Sequence, residues 1–286
     1  MMPPSAQDAA RRLLILLAIS SHAVRLMMVW DFTFRTVAAI RSLTGQSPSW
    51  RSLGLRGEWL KLRANWNWFW ERRTIRDVLT KAGLFSYLTT DEHEFLQVGL
   101  SDLSRAKACK CLWQIEAAAC IAWALHLLPR LWPVDEQFDG KLNFSALGAV
   151  ESRLVETATL RPFEKLQAAG ERIKLWHWRA RQLVLERQGY AWPPQNATLD
   201  EITDLQSRGL DTLDGLVRVT ARLLRDEGKL DETIDDDFVA RGKAYRELSE
   251  EELSELLGIA SERHKALNWL CGLAPNNDWV AVPTET

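Results

Sequence analysis

Apolar residues recur along this chain at steps of three and four, and runs of strict alternation are scarce, so the pattern predicts helices. A first helix is expected over residues 5–29, built on Leu13-Leu14-Ile15-Leu16-Leu17-Ala18-Ile19. Gly45, Pro48, Gly54 and Gly57 mark a loop over 44–56. A second helix then runs from about 57 to 82, with Trp59, Trp66, Trp70 and Arg73 on one face and Trp68 on another. Gly83 stands where a helix ends in the left-handed conformation. Thr89 and Glu92 form a capping box ahead of a short helix carrying Phe95 and Leu96. The longest apolar pattern begins near Ser101 and stops before Pro129. Its centre, Leu112 to Leu128, is apolar on nearly all sides, as in a helix surrounded by other helices.

A further long helix follows Arg161-Pro162 and ends near Gly189, with Leu166, Ile173, Trp176, Ala180 and Leu183 as its seam. Residues 190–200 read as a loop and 201–227 as one amphipathic helix. Asp226 to Asp237 packs seven acidic residues around one lysine and reads as a solvated loop. Ser249 and Glu252 form a second capping box, opening a last helix that runs to Gly272. Together these elements predict an all-α fold: a single helical domain with long buried central helices and an N-terminal helical extension. The expected division is an N-terminal portion over 1–85, including the Trp-rich helix, and a helical core over 86–286.

Composition adds compartment and charge. The apolar run after Arg11-Arg12 is seven residues long, too short for a membrane span, and Asp8 precedes it, so a buried helix explains it better than a secretory signal. Four cysteines (Cys109, Cys111, Cys120, Cys271) have no disulfide rhythm, which favours reduced thiols and a cytoplasmic location. Cys109 and Cys111 point apart on a helix, so no metal is expected, and no cofactor motif is present. The net charge of −2 conceals a segregation: residues 1–130 hold 17 Lys and Arg against 10 Asp and Glu, and residues 131–286 hold 19 against 28. Such asymmetry either offers complementary surfaces to partners or draws the two halves together.

The Trp-rich segment interleaves Arg63, Arg72, Arg73 and Arg76 with Trp66, Trp68 and Trp70, a composition found where single strands stack. The pI of about 6.3 and the helical spacing of the tryptophans count against nucleic acid and for a packed face. Walker A, Gly-x-Gly-x-x-Gly and His-Glu-x-x-His patterns are absent from the sequence, and there is no Gly-x-Ser-x-Gly elbow.

Polar residues in apolar settings supply the candidate chemistry. Glu116 lies between Ile115 and Ala117, with Trp113, Cys120 and Trp123 nearby. A carboxylate there needs a partner or a proton. His177 and Arg181 are four apart on one helix, as are His264 and Asn268 on another, with Cys271 continuing that face. If these helices pack together, Glu116, His177, Arg181, Arg263, His264 and Asn268 converge. Two readings follow. One is a site, with Glu116 as general acid or base, Arg263 as anion clamp and a histidine as proton carrier. The other is a hydrogen-bonded network that fixes helix register, with Asn268 on loop carbonyls. Trp279 and the Thr284–Thr286 pair are expected to fold back on the core, or over a pocket mouth.

Several stretches resemble a known family. Leu79-Thr80-Lys81-Ala82-Gly83-Leu84-Phe85 followed by Thr90-Asp91-Glu92-His93-Glu94-Phe95-Leu96 is one. Trp113-Gln114-Ile115-Glu116-Ala117 with Trp123-Ala124-Leu125, and Arg161 with Trp176-His177-Trp178-Arg179-Ala180-Arg181, are others. Glu262-Arg263-His264-Lys265-Ala266-Leu267-Asn268-Trp269-Leu270-Cys271-Gly272, with the Asp278-Trp279 and Thr284-x-Thr286 tail, completes the pattern. Together they resemble the bacterial domain-of-unknown-function family 4272 over roughly residues 70–286. The resemblance implies a mostly helical bacterial protein and carries over no catalytic residue.

The functional expectation is a cytoplasmic, helical protein-binding module, immunity- or adaptor-like, with Trp68, Asp235, Asp236 and Asp237 as candidate contacts. The alternative is an enzyme or small-molecule binder that uses the Glu/His/Arg cluster on an anionic ligand.

Overall fold

The protein is described here from a computed structural model that defines residues 2–44, 69–70, 72–97, 104–139, 151–193 and 197–285. The expected loop over 44–56 and most of the Trp-rich helix, including Trp59, Trp66 and Trp68, lie outside the described residues. The chain is mostly helical, as its periodicity predicts. Its contacts group it into two compact units, one of residues 4–127 and 140–160, the other of residues 1–3, 128–139 and 161–286. A boundary near residue 85 would fall inside the first of these.

The first unit opens with α1 (Ala6–Thr44), longer than the apolar run alone suggests. Leu13 to Ile19 are all buried, the place of a core helix. A helix over residues 72–81 (α2) ends at Gly83, whose φ of +67° suits glycine. There Leu84 N–H donates to the Leu79 carbonyl and Gly83 N–H to that of Thr80, so the last turn closes on itself. The capping box opens α3 (Thr90–Gln97): Glu92 accepts from Thr89 N–H at 2.7 Å and its own N–H donates to the Thr89 hydroxyl at 3.3 Å. The other oxygen of Glu92, which is buried, accepts from Arg12 at 2.8 Å, and Arg12 also donates to the Tyr87 carbonyl. One carboxylate thus caps a helix and ties it to α1. Helix α4 (Arg105–Ala124), capped by Ser104, packs along α1, and α5 (Glu151–Thr157) also meets α1.

The second unit is built on an antiparallel helix pair, α6 (Phe163–Arg187) and α9 (Glu250–Leu270). Pro162 is the N-cap residue of α6 rather than its first helical position, because its ψ of 141° is extended. The seam Leu166, Ile173, Trp176, Ala180 and Leu183 is buried as the sequence predicts. At Gly170 an added Cβ would meet Leu267 Cβ at 3.8 Å, an ordinary contact, so α6 and α9 run side by side here with room for a methyl group. The capping box of Ser249 and Glu252 forms, with Glu252 accepting Ser249 N–H at 2.7 Å.

Two expectations fail here. Residues 201–227 are two helices, α7 (Leu199–Ser207) and α8 (Leu213–Asp226), because Gly209 at φ +67° ends the first and Thr212 caps the second. The acidic stretch is a solvated loop only in part: Asp226, Glu227, Asp231, Glu232 and Asp235 are exposed, whereas Asp237 is buried. It contains β1 (Thr233–Ile234) and the start of β2 (Asp237–Ala240), which with β3 (Lys243–Ala244) form an antiparallel sheet in the order β1-β2-β3. The register pairs Thr233 with Phe238 and Val239 with Ala244. Phe238 stands edge-on to Trp176 at 5.4 Å, which seats the sheet on α6.

Candidate functional site

Within the second unit, α6 and α9 bring together His177, His264 and Asn268. The two histidines are 4% and 1% exposed, and their Nδ1 atoms lie 2.9 Å apart. Asn268 Nδ2 lies 3.0 Å from His264 Nε2 and donates to the Pro283 carbonyl at 2.7 Å. Chemistry fixes the protons. A carbonyl only accepts, so Pro283 requires the amide nitrogen of Asn268 on its side. That nitrogen's second proton goes to His264 Nε2, leaving His264 protonated on Nδ1. His264 then donates to His177 Nδ1, so His177 carries its proton on Nε2.

Both rings are neutral at ordinary pH. Burial lowers His177 to about 4, helped by Arg181. Burial also lowers His264 to about 4, helped by His177 and Lys174. Arg181 is solvent-exposed and acts on the pair through its charge. Cys271 is pushed up to about 11 by burial, then by Glu171, so it stays a thiol.

Arg263, on the same helix, faces a different partner. Its buried guanidinium donates to the carbonyls of Trp132, Pro133 and Glu136 at 3.2, 2.6 and 2.8 Å. It pins a loop of its own unit, and these carbonyls occupy the N–H groups an anion clamp would present. Glu116 is fully buried on α4 and belongs to the first unit.

The partner-contact candidates Asp235, Asp236 and Asp237 divide. Asp237 is fully buried and accepts from Arg179 Nε at 2.7 Å and Nη2 at 2.9 Å. It also accepts from the N–H groups of Phe238 and Arg246 and from Arg246 Nε. It is thus an internal anchor and offers no surface to a partner. Burial alone would raise its carboxyl, but the Arg179 hydrogen bond and charge, with the two backbone donors, hold it below the usual range. Glu186, 3.5 Å from Arg179, is raised, mainly by burial. Arg179 also stacks over the Tyr245 ring at 5.3 Å. Asp236 pairs with Arg222 at 2.6 Å, and the Asp235 carbonyl accepts from Arg218 and Arg246.

The sequence reading missed the Arg179–Asp237 pair. The signal was present: Arg179 interrupts the apolar seam three residues after Trp176 and four before Leu183.

The first unit carries a charged cleft. Phe69, Arg72, Arg73, Arg76, Asp77, Thr80, Leu96 and Gln97 line a cleft of about 360 Å³. Arg73 lies over Trp70 at 5.5 Å and Arg76 over Phe85 at 5.6 Å. Neither pairs with a carboxylate among the described residues. Stacking holds a guanidinium plane by its face and leaves its N–H edge for an anion. Arg72 donates to the Gln97 carbonyl, which ties α2 to the end of α3. The shared face of Trp70 and Arg73, read from their spacing, is observed.

No helix among the described residues is long and apolar enough to cross a membrane, and no group of three or more His, Cys, Asp or Glu among them could hold a metal. Neither the curated proteins nor the solved structures contain a match to the chain. Residues 61–199 match the model of the family described as Domain of unknown function (DUF4272), the family its sequence pattern resembles. The match takes in part of the Trp-rich segment, α2 and its cleft, and α6. It stops before the Glu262–Gly272 motif.

Proposed function

We propose that this chain is a cytoplasmic, bacterial protein-binding module whose contact surface is the arginine cleft on α2, and that it takes an acidic segment of a partner protein. The observation that carries this is the pair Arg73 and Arg76, held by aromatic faces and lacking a carboxylate partner among the described residues. Arginines of the second unit are used differently: Arg172, Arg187, Arg222 and Arg241 each meet an acidic side chain of their own unit. The acidic stretch 226–237 is likewise occupied by Arg218, Arg222, Arg225 and Arg246, which makes it the weaker contact surface. Phe69 and Trp70, each nearly half exposed, add apolar area at the cleft, the mixture of aromatic and arginine that interfaces favour. The alternative, catalysis or small-molecule binding at the His177–His264 cluster, is less supported because Arg263 is engaged with three carbonyls.

The test is fluorescence anisotropy with a labelled decaglutamate peptide at low and physiological salt. Binding should weaken at least tenfold in the Arg73→Glu/Arg76→Glu variant and fall with salt. An unchanged helical circular-dichroism spectrum would show that the variant is folded. Equal binding by both proteins, or binding of inorganic phosphate or a single-stranded oligonucleotide in preference to the peptide, would overturn the reading.

A further inference from the structure

The tail after α9 is fastened at several points. Trp279 is buried and stands edge-on to Trp269 at 5.4 Å, with Lys265 over its ring at 4.9 Å. Trp269 Nε1 donates to the Asn277 carbonyl at 3.1 Å. Beyond Trp279, Val282 is buried and Asn268 of α9 donates to the Pro283 carbonyl. That same amide proton-donor holds the tautomer of His264, and through it that of His177.

We infer that the buried histidine pair is a proton-operated latch on the C-terminal segment: the neutral pair fastens Pro283 through Asn268, and one added proton unfastens it. A proton arriving on His264 lands on Nε2 and sets an N–H against the Asn268 amide hydrogens across 3.0 Å. Asn268 relieves this by presenting its oxygen to His264. Its nitrogen then leaves Pro283, and an oxygen facing the Pro283 carbonyl cannot replace the bond.

A proton arriving on His177 instead lands on Nδ1 and faces the Nδ1–H of His264 across 2.9 Å. His264 relieves that by moving its own proton to Nε2, which creates the same conflict at Asn268. Either entry point therefore ends at Pro283.

The groups that act on the pair are Arg181 on His177, and His177 and Lys174 on His264, all of which oppose a proton. Cys271, on the same face of α9, stays neutral. The latch is therefore closed near neutrality and opens only in acid, in keeping with both rings lying near 4.

The experiment is an NMR titration of the full chain from pH 7.5 to 3.5, following the imidazole nitrogens of His177 and His264 and the amides of Ala281, Val282 and Thr284. At neutral pH the imidazole shifts should show the proton on Nδ1 of His264 and on Nε2 of His177. The tail amides should then move to disordered-chain positions with the same midpoint as the rings, while Ile173 and Ile259 stay in place. Rings that titrate while the tail amides hold still would overturn the proposal. So would the opposite tautomers, or tail and helix amides lost together.

Asn268→Ala should free the tail amides already at pH 7.5. Should that variant not fold, a chain ending at Val282 removes Pro283 and the three residues after it. There His264 should lose its single tautomer and take up a proton at higher pH. An unchanged His264 titration in that chain would refute the coupling.

Discussion

Asp237→Ala removes the carboxylate from the most enclosed ion pair described in the second unit. Both side chains are sealed, Arg179 at 1% exposure and Asp237 at 0%. The carboxylate accepts five hydrogen bonds: two from Arg179, one each from the Phe238 and Arg246 backbone N–H groups, and one from Arg246 Nε. After truncation Arg179 keeps the 3.5 Å contact to Glu186 and the Tyr245 face, among the described residues. Stranding one charge of a buried pair costs about 3–5 kcal/mol. Each orphaned backbone donor adds about 1 kcal/mol where water cannot reach it. The expected loss is therefore about 5–7 kcal/mol, a large share of a domain stability of roughly 5–15 kcal/mol.

Urea unfolding followed by circular dichroism and tryptophan emission measures it, with separate transitions fitted if the two units unfold apart. The double replacement Arg179→Met/Asp237→Leu removes both charges and should return to within about 2 kcal/mol of the parent. A loss under about 1 kcal/mol for Asp237→Ala would refute the reasoning. So would a double variant as unstable as the single one.

Two further outcomes follow from burial and backbone. His177 and His264 are lowered in the folded state from the ordinary 6.5 to about 4, so the stability they contribute is complete above pH 6.5 and drains away as pH falls towards 4. Each proton that the unfolded chain binds over that range and the folded pair does not corresponds to about 3 kcal/mol, and urea midpoints that stay level from pH 7 to 4.5 would contradict it. At Gly272, φ is +77° and an added Cβ would lie 2.7 Å from the Pro3 nitrogen, whereas at Gly189, with φ +69°, nothing lies within 4 Å. Gly189→Ala should cost about 1 kcal/mol through backbone strain alone and Gly272→Ala distinctly more, so equal losses in thermal unfolding would argue against the close approach.

Features settled within a few residues are legible from the letters alone. Gly83 ends α2 because a left-handed position needs no neighbour outside the turn. Glu92 and Glu252 close their capping boxes because donor and acceptor are three residues apart. The seam of α6 was legible because burial follows the helical period.

Tertiary structure decided which buried polar groups meet. His177 and Arg181 share a helix face, but the hydrogen-bond partner of His177 is His264, 87 residues away. That meeting is set by the packing of α6 against α9. Arg263 read either as an anion clamp or as part of a hydrogen-bonded network, and it gathers three carbonyls from residues 132–136, since a guanidinium serves either acceptor equally well in a sequence. Asp237 reads the same as its acidic neighbours Asp235 and Asp236. Only the sheet that turns it inward, and Arg179 waiting in the apolar seam, make it the buried one. A hydrated carboxylate and a paired one have the same letter, and their difference is created by what the fold brings beside them.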